Sequence, residues 1–141
     1  YPTQEEELKI LSNHHGLPVN SQVSLVTPVL TASQVTRLRD QVKDIHVEEK
    51  LLSYITAIVV NTRTNKSIYL GASPRASIGI LNAVKSLAAI RGRDFVTPDD
   101  IKFIAPSVLR HRIVLTPEKE MEGTSTDTVI EEILEAIEIP R

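Results

Sequence analysis

Arg75 is the residue whose position most directly suggests chemistry. The segment 71–76 reads Gly-Ala-Ser-Pro-Arg-Ala, and Ser73 before Pro74 predicts a helix capped by the serine and started by the proline. Arg75 would lie in the first helical turn, where unpaired N–H groups and the helix dipole favour an anion. Because a guanidinium adds a charged, forked donor, the pattern suggests a phosphate sensor at this helix N-terminus.

The same arginine has a second interpretation. It could form a surface ion pair with one of the 18 acidic side chains of the chain. Such pairs contribute little in water, so they need no functional explanation. The residues alone leave both interpretations open.

No recognisable catalytic or metal-binding motif accompanies Arg75. A nucleotide-hydrolysing core needs a glycine-rich loop ending in Gly-Lys-Ser or Gly-Lys-Thr, and none of the five glycines precedes a lysine. The four histidines lack metal-ligand spacing and the chain contains no cysteine. We therefore expect no enzymatic activity and no metal site in this chain alone. The absence of cysteine permits a cytoplasmic location, which we expect.

The composition is that of an ordinary globular protein. Hydrophobic residues make up 41% of the chain and aromatic residues only 4%. The core must therefore be aliphatic, and few rings are available to stack on nucleic-acid bases. No apolar run approaches the ~20 residues that a membrane-spanning helix needs.

Charge is unevenly distributed along the chain. Residues 74–112 carry seven cations and three acids, whereas residues 113–141 carry eight acids and two cations. The basic stretch permits a small helical DNA-binding domain as an alternative function, although the net charge of -2 disfavours it. Arg91 and Arg93 come at the end of a predicted helix, where cations complement the dipole.

Capping residues and apolar spacing predict a mainly α-helical bundle. Thr3 with Glu6, and Thr31 with Gln34, have the spacing of capping boxes. We predict helices over 4–14, 32–46, 48–62, 74–91, 98–111 and 126–137. The helix 74–91 is apolar on most sides, so it should be the central one.

Proline and β-branched residues mark the exceptions to this helical pattern. Pro106 should break or kink the fifth helix after Ala105. The segments Val19–Leu30 and Ile113–Leu115 are rich in β-branched residues. They could be extended and pair as a minor two-stranded β element.

Four segments follow one another in an order that resembles a known family. The segment 71–76 looks like the sensor-2 motif of MoxR-family AAA+ ATPases, and Gly92–Ile101 is similar to the next motif of that family. Val108–Ile113 resembles its closing segment. Tyr1–Thr3 with Glu5–Glu7 resembles the point where the ATPase core joins its C-terminal lid. The match runs through most of the chain.

The resemblance implies a domain organisation. Residues 1–16 would be a helix following an ATPase core, 17–30 a connector, 31–115 the helical lid domain, and 116–141 an acidic tail with a C-terminal helix. The chain begins at Tyr1 rather than Met, so we expect it to be part of a longer protein.

The resemblance also implies a function. Arg75 would be the sensor-2 arginine that reaches the γ-phosphate of ATP in the same subunit, with Ser73, Pro74 and Ala76 beside the phosphate. The full-length protein would bind ATP with magnesium, and lid rotation would follow the nucleotide state. Rings, commonly hexamers, would pass this motion to a client in chaperone-like remodelling or metal insertion, often of a von Willebrand A-domain protein.

A third hypothesis concerns an apolar stripe in the acidic tail. Its members have helical spacing: Val129, Ile130, Ile133, Leu134 and Ile137. The stripe must cover something apolar, either the bundle itself or a partner protein for which the chain would be an adaptor.

Overall fold

A computed structural model describes residues 1–15 and 26–139, which fall into two units, Tyr1–Thr36 and Arg37–Arg141. Within the described residues the helices are α1 (Gln4–His14), α2 (Ala32–Lys43), α3 (Glu49–Thr64), α4 (Pro74–Ile90), α5 (Pro98–Leu109), α6 (Pro117–Met121) and α7 (Thr126–Ala136). The strands are β1 (Ile68–Leu70) and β2 (Val114–Leu115). The predicted mainly α-helical class with a minor β element is confirmed.

The helix starts of the first unit are fixed by hydrogen bonds from their own caps. The Glu6 carboxylate accepts from the Thr3 N–H at 2.8 Å, and the Thr3 hydroxyl accepts from the Glu6 N–H. Thr31 and Gln34 exchange the same two bonds before α2. Both predicted capping boxes are therefore confirmed. No residue of α1 is buried.

The core of the second unit is built around α4. This helix packs against α3 and α5, and α7 covers both α3 and α5. Each fully buried aliphatic side chain contributes about 1.5–3 kcal/mol of hydrophobic stabilisation. The largest of these side chains are Ile58, Val59, Ile80, Val84, Ile101, Leu109, Val129, Ile130 and Ile133. The central position predicted for the helix 74–91 is confirmed.

A two-stranded antiparallel sheet joins the chain on either side of α4 and α5. Ile68 lies opposite Leu115 and Leu70 opposite Val114. The prediction that Ile113–Leu115 is extended is confirmed at β2, whose strand partner among the described residues is β1 and not the predicted Val19–Leu30. Residues 26–30 of that segment are not in a strand, and residues 19–25 lie outside the described residues, as do residues 17–25 of the predicted connector.

The helix α2 ends three residues before the predicted boundary at 46. Ile45 turns into the core, and His46 forms an isolated parallel bridge with Phe95. In this bridge the His46 N–H donates to the Asp94 carbonyl at 2.8 Å. The tertiary hydrogen bond replaces the helical one, which the local sequence could not indicate.

Pro106 does not break α5. The helix continues through it to Leu109, two residues short of the predicted end. A proline removes one N–H donor from a helix but keeps its carbonyl. The Pro106 carbonyl still accepts from the Arg110 N–H at 3.0 Å, so the last turn remains closed. The short helix α6 was not predicted.

The apolar stripe of the acidic tail lies inside the second unit. Val129, Ile130, Ile133 and Leu134 are buried on α7, and Ile137 packs partly against the same core. The adaptor hypothesis thereby loses the surface on which it depended. Among the helices in the described ranges, none combines the length and the apolar character that crossing a bilayer requires.

The N-terminal end of helix α4 as a candidate phosphate-binding site

The helix α4 starts as the Ser-Pro pair predicts. Ser73 is the N-cap residue with extended backbone angles (φ -76°, ψ 167°), and Pro74 is the first helical residue. The Ser73 hydroxyl makes no capping hydrogen bond to the helix. It differs in this respect from the hydroxyls of Thr3, Thr97 and Ser125, which accept from their own first turns. The Ser73 hydroxyl is thus left available to a ligand.

Arg75 lies in the first turn of α4 and is exposed. Its side chain forms no hydrogen bond or ion pair with any residue that the structure describes. The acid partner required by the alternative interpretation is therefore missing from residues 1–15 and 26–139. An unpaired guanidinium beside a helix N-terminus is suited to an anion such as phosphate.

The other two predicted residues contribute in a more limited way. Pro74 has no N–H group to donate. The Ala76 side chain is completely buried, and the Ala76 N–H donates to the Ser73 carbonyl at 2.8 Å. The groups left to bind an anion are thus the Arg75 side chain, the Arg75 N–H and the Ser73 hydroxyl.

The last turn of α3 holds the backbone that leads into α4. The Thr62 hydroxyl accepts from the Ala72 N–H at 2.9 Å and donates to the Val59 carbonyl at 2.6 Å. Arg63 Nε donates to the Ala72 carbonyl at 2.7 Å. A Cβ at Gly71 would lie 2.6 Å from the Thr62 carbonyl oxygen, so only glycine fits this close approach. Both backbone groups of Ala72 are therefore bound by consecutive residues of α3.

Neither Thr62 nor Arg63 was predicted from the sequence as a residue of this site. One signal could have found Thr62, because it follows Ile58 and Val59 at helical spacing and so places a hydroxyl on the buried face. A buried hydroxyl needs hydrogen-bond partners, which predicts that another backbone segment lies against it. Arg63 gave no comparable signal.

A second network ties the end of α4 to the start of α5. The Asp100 carboxylate is completely buried and accepts from Arg91 at 2.9 Å and from Arg93 at 2.7 Å. It also accepts from the Thr97 N–H at 2.9 Å. Burial raises the pKa of Asp100, but the hydrogen bonds from Arg93 and Thr97 outweigh it and hold this pKa at about 2. Arg91 and Arg93, interpreted from the sequence as cations that complement the helix dipole, are instead the partners of this buried acid.

Most other cations of the basic stretch 74–112 also have partners. Arg110 lies 3.2 Å from Asp127, and Lys85 donates to the Lys43 carbonyl at 2.7 Å. Arg112 donates to the His111 ring. These contacts leave no dense set of unpaired cations on one face, which disfavours the DNA-binding alternative.

The sequence led us to expect no metal site, which would be built from acidic and histidine side chains. Over residues 1–15 and 26–139, no group of three or more such side chains could hold a metal ion. The donor set at the start of α4 consists of a guanidinium, an N–H and a hydroxyl. Such a set is suited to phosphate oxygens rather than to a cation.

Comparison with known proteins identifies related chains. A model of the AAA lid domain family matches residues 60–133, a range that contains Thr62, Arg75 and Asp100. The chaperone MoxR1 of Mycobacterium tuberculosis is 33% identical over 150 residues, covering 100% of this chain and 38% of that protein. The uncharacterized protein YeaC of Bacillus subtilis is 34% identical over 140 residues, covering 99% of this chain and 43% of that protein.

A solved structure extends the similarity to the fold. The crystal structure of a protein assigned as an ATPase, from Cytophaga hutchinsonii, has a TM-score of 0.77 and 32% identity. The match covers 100% of this chain and 44% of that one. This chain spans about two fifths of the length of MoxR1 and YeaC.

Proposed function

Because this chain belongs to the AAA lid domain family and has a MoxR-type relative, we propose that it closes over ATP held by an ATPase core and that Arg75 binds the γ-phosphate in the same subunit. Hydrolysis removes the phosphate that Arg75 contacts. The lid would then lose one of its attachments to the nucleotide, so its orientation would follow the nucleotide state.

One observation carries this proposal. Arg75 is exposed and has no partner among the described residues, yet the backbone three residues before it is bound on both sides by Thr62 and Arg63. A rigid backbone with an unpaired charged side chain is the arrangement expected for a side chain that is preorganised to bind a ligand. An arginine that is only solvated would not need a backbone held in this way.

The packing of α4 supports a coupling role. The helix that carries Arg75 packs against α3 and α5, and the Asp100 network ties its far end to α5. A force applied to Arg75 would therefore move these helices together. The lid of such an enzyme has to rotate as one body if it is to transmit the nucleotide state.

We also propose how the remainder of the full-length protein acts. The helix following the core would comprise residues 1–16, and the connector residues 17–30. The lid domain would comprise residues 31–115, and the acidic tail residues 116–141. Magnesium would be bound with ATP by the core. Rings of subunits, hexamers as the family resemblance implies, would use lid rotation to remodel a client or to insert a metal into it. The same resemblance implies that the client is a von Willebrand A-domain protein.

The test is Arg75→Ala in the full-length protein, assayed for ATP hydrolysis. A hydrogen bond to a charged group contributes about 1.5–3 kcal/mol, so we expect kcat to fall about 10- to 100-fold with the lid still folded. Arg37→Ala, which removes an exposed arginine from α2, is the matched control and should leave kcat unchanged. Unchanged turnover in Arg75→Ala would remove Arg75 from the mechanism.

A further inference from the structure

We propose that Thr62 and Arg63 are positioning residues for Arg75, which they serve by fixing both backbone groups of Ala72. This inference rests on the proposed function, because it concerns how Arg75 is aimed at its phosphate. Neither residue needs to touch the nucleotide. Their effect would pass through the start of α4.

Thr62 is the stronger of the two restraints. Its side chain is completely buried, and its hydroxyl both accepts from the Ala72 N–H at 2.9 Å and donates to the Val59 carbonyl at 2.6 Å. Serine could make the same two bonds. Valine has the shape of threonine but would leave the Ala72 N–H buried without a partner, which is destabilising.

Arg63 completes the restraint from the next position on α3. Its Nε donates to the Ala72 carbonyl at 2.7 Å. With Thr62 on the N–H and Arg63 on the carbonyl, the peptide planes on both sides of Ala72 are held. Rotation of the segment about its own axis is thereby blocked.

Close packing adds to these hydrogen bonds. The Gly71 backbone lies so near Thr62 and Arg63 that a Cβ would be 2.6–2.8 Å from their backbone atoms. The Ala72 and Ala76 side chains, on either side of Arg75 in the sequence, are 1% and 0% exposed. The Arg75 backbone is consequently fixed, and only its side-chain rotamers remain free.

The start of α4 is not fixed by a capping bond from its own N-cap residue. Thr97 and Ser125 fix the starts of α5 and α7 with their own hydroxyls, whereas the Ser73 hydroxyl does not bind its helix. The start of α4 is held from α3 instead. This arrangement leaves the ligand-facing groups unused while the backbone that carries them stays in place.

A double-mutant cycle in the full-length protein tests the inference. Thr62→Val should lower kcat on the order of tenfold, because a displacement of about 1 Å can cost that much or more. Thr62→Ser, which keeps the hydroxyl, should stay within about twofold of the unmodified protein. In an Arg75→Ala background, Thr62→Val should cause no further loss, because residues that act through one another are not additive.

Two further measurements keep the outcome interpretable. Thermal unfolding of each variant establishes the folded fraction to which kcat is normalised. Arg63→Met, which keeps the length of the side chain and removes the donor, tests the second restraint without opening the core. As a single substitution, Arg63→Met should also lower kcat. In the Arg75→Ala background it should have no effect.

The results separate the two proposals. If Arg75→Ala lowers kcat but Thr62→Val either leaves it unchanged or lowers it by the same factor in both backgrounds, the positioning role is overturned and the proposed function stands. If Arg75→Ala itself has no effect, the proposed function fails and the positioning role fails with it.

Discussion

The guanidinium of Arg93 lies 2.7 Å from the carboxylate of Asp100, whose side chain has no solvent exposure. Arg91 contributes a second bond to the same carboxylate at 2.9 Å. Isolated surface ion pairs contribute little, but a buried carboxylate is costly unless its oxygens are fully bonded. Asp100 meets that condition, since Thr97 donates to it as well.

Stability should fall in acid because of Asp100. Its pKa is about 2 in the folded protein against an ordinary value of 3.8. A depressed carboxyl pKa contributes stability that is present above the unfolded value and is lost as pH falls through the folded value. We expect Asp100 to account for a loss of about 2 kcal/mol in the free energy of unfolding between about pH 5 and pH 2, measured by urea denaturation.

Asp100→Asn is the control for that measurement. It should be less stable at neutral pH, because two arginines lose their charged partner. Its free energy of unfolding should depend less steeply on pH in the acid range. A slope identical to that of the unmodified protein would show that other carboxylates cause the acid sensitivity.

Gly71→Ala should destabilise the second unit by about 1–3 kcal/mol, since the new methyl group meets backbone atoms that cannot move aside. Gly79→Ala is a matched substitution on α4. Its Cβ would lie 3.2 Å from a methyl group of Val108, and alanine favours the helix by up to about 1 kcal/mol. We expect Gly79→Ala to stay within about 1 kcal/mol of the unmodified protein. Equal losses for the two variants, measured by urea denaturation, would contradict the close approach at Gly71.

Ile133→Ala should lower the free energy of unfolding by about 2–5 kcal/mol, because it leaves a cavity where α7 meets the bundle. Ile133 is 1% exposed, whereas the neighbouring Glu131 faces solvent. Glu131→Ala should therefore change stability by less than about 0.5 kcal/mol. If Ile133→Ala were as stable as Glu131→Ala in thermal and urea unfolding, α7 would not belong to the core.

Mixing subunits of the proposed rings would test whether Arg75 contacts the nucleotide of its own subunit, as proposed. Full-length Arg75→Ala subunits are combined with subunits whose core cannot bind ATP. If Arg75 serves its own subunit, neither kind has an intact site and mixing should not raise ATP hydrolysis. Recovered hydrolysis would show that Arg75 reaches a neighbour. As a control, unmodified subunits are mixed with the ATP-binding-deficient ones. A change in ATP hydrolysis per unmodified subunit would show that mixed rings form.

The features that the sequence predicted are those decided by neighbouring residues. Capping boxes at Thr3 and Thr31, and the Ser73-Pro74 start of α4, depend on side chains within one turn of the backbone that they bind. The apolar stripe on α7 was equally visible, because helical spacing is a local property. Its partner was not visible, since spacing does not say which surface covers a stripe.

The features that the sequence did not predict depend on contacts between distant segments. Thr62 and Ala72 are bonded across ten positions, and β1 pairs with β2 across the whole length of α4 and α5. Asp100 has the capping-box spacing from Thr97, which Asp99 lacks. This local signal predicts neither the burial of Asp100 nor its bonds to Arg91 and Arg93. Only packing decides that Asp99 is exposed and Asp100 buried.

The antiparallel strands also determine how the second unit responds to tension. Ile68 at the start of β1 lies opposite Leu115 at the end of β2, and the Thr116 N–H donates to the Ser67 carbonyl at 3.0 Å just beyond them. A pull between α3 and α6 acts on this outermost bond first, and the hydrogen bonds of the sheet then break one after another. The backbone of the enclosed segment, which includes α4 and α5, carries no tension from such a pull until the strands have parted.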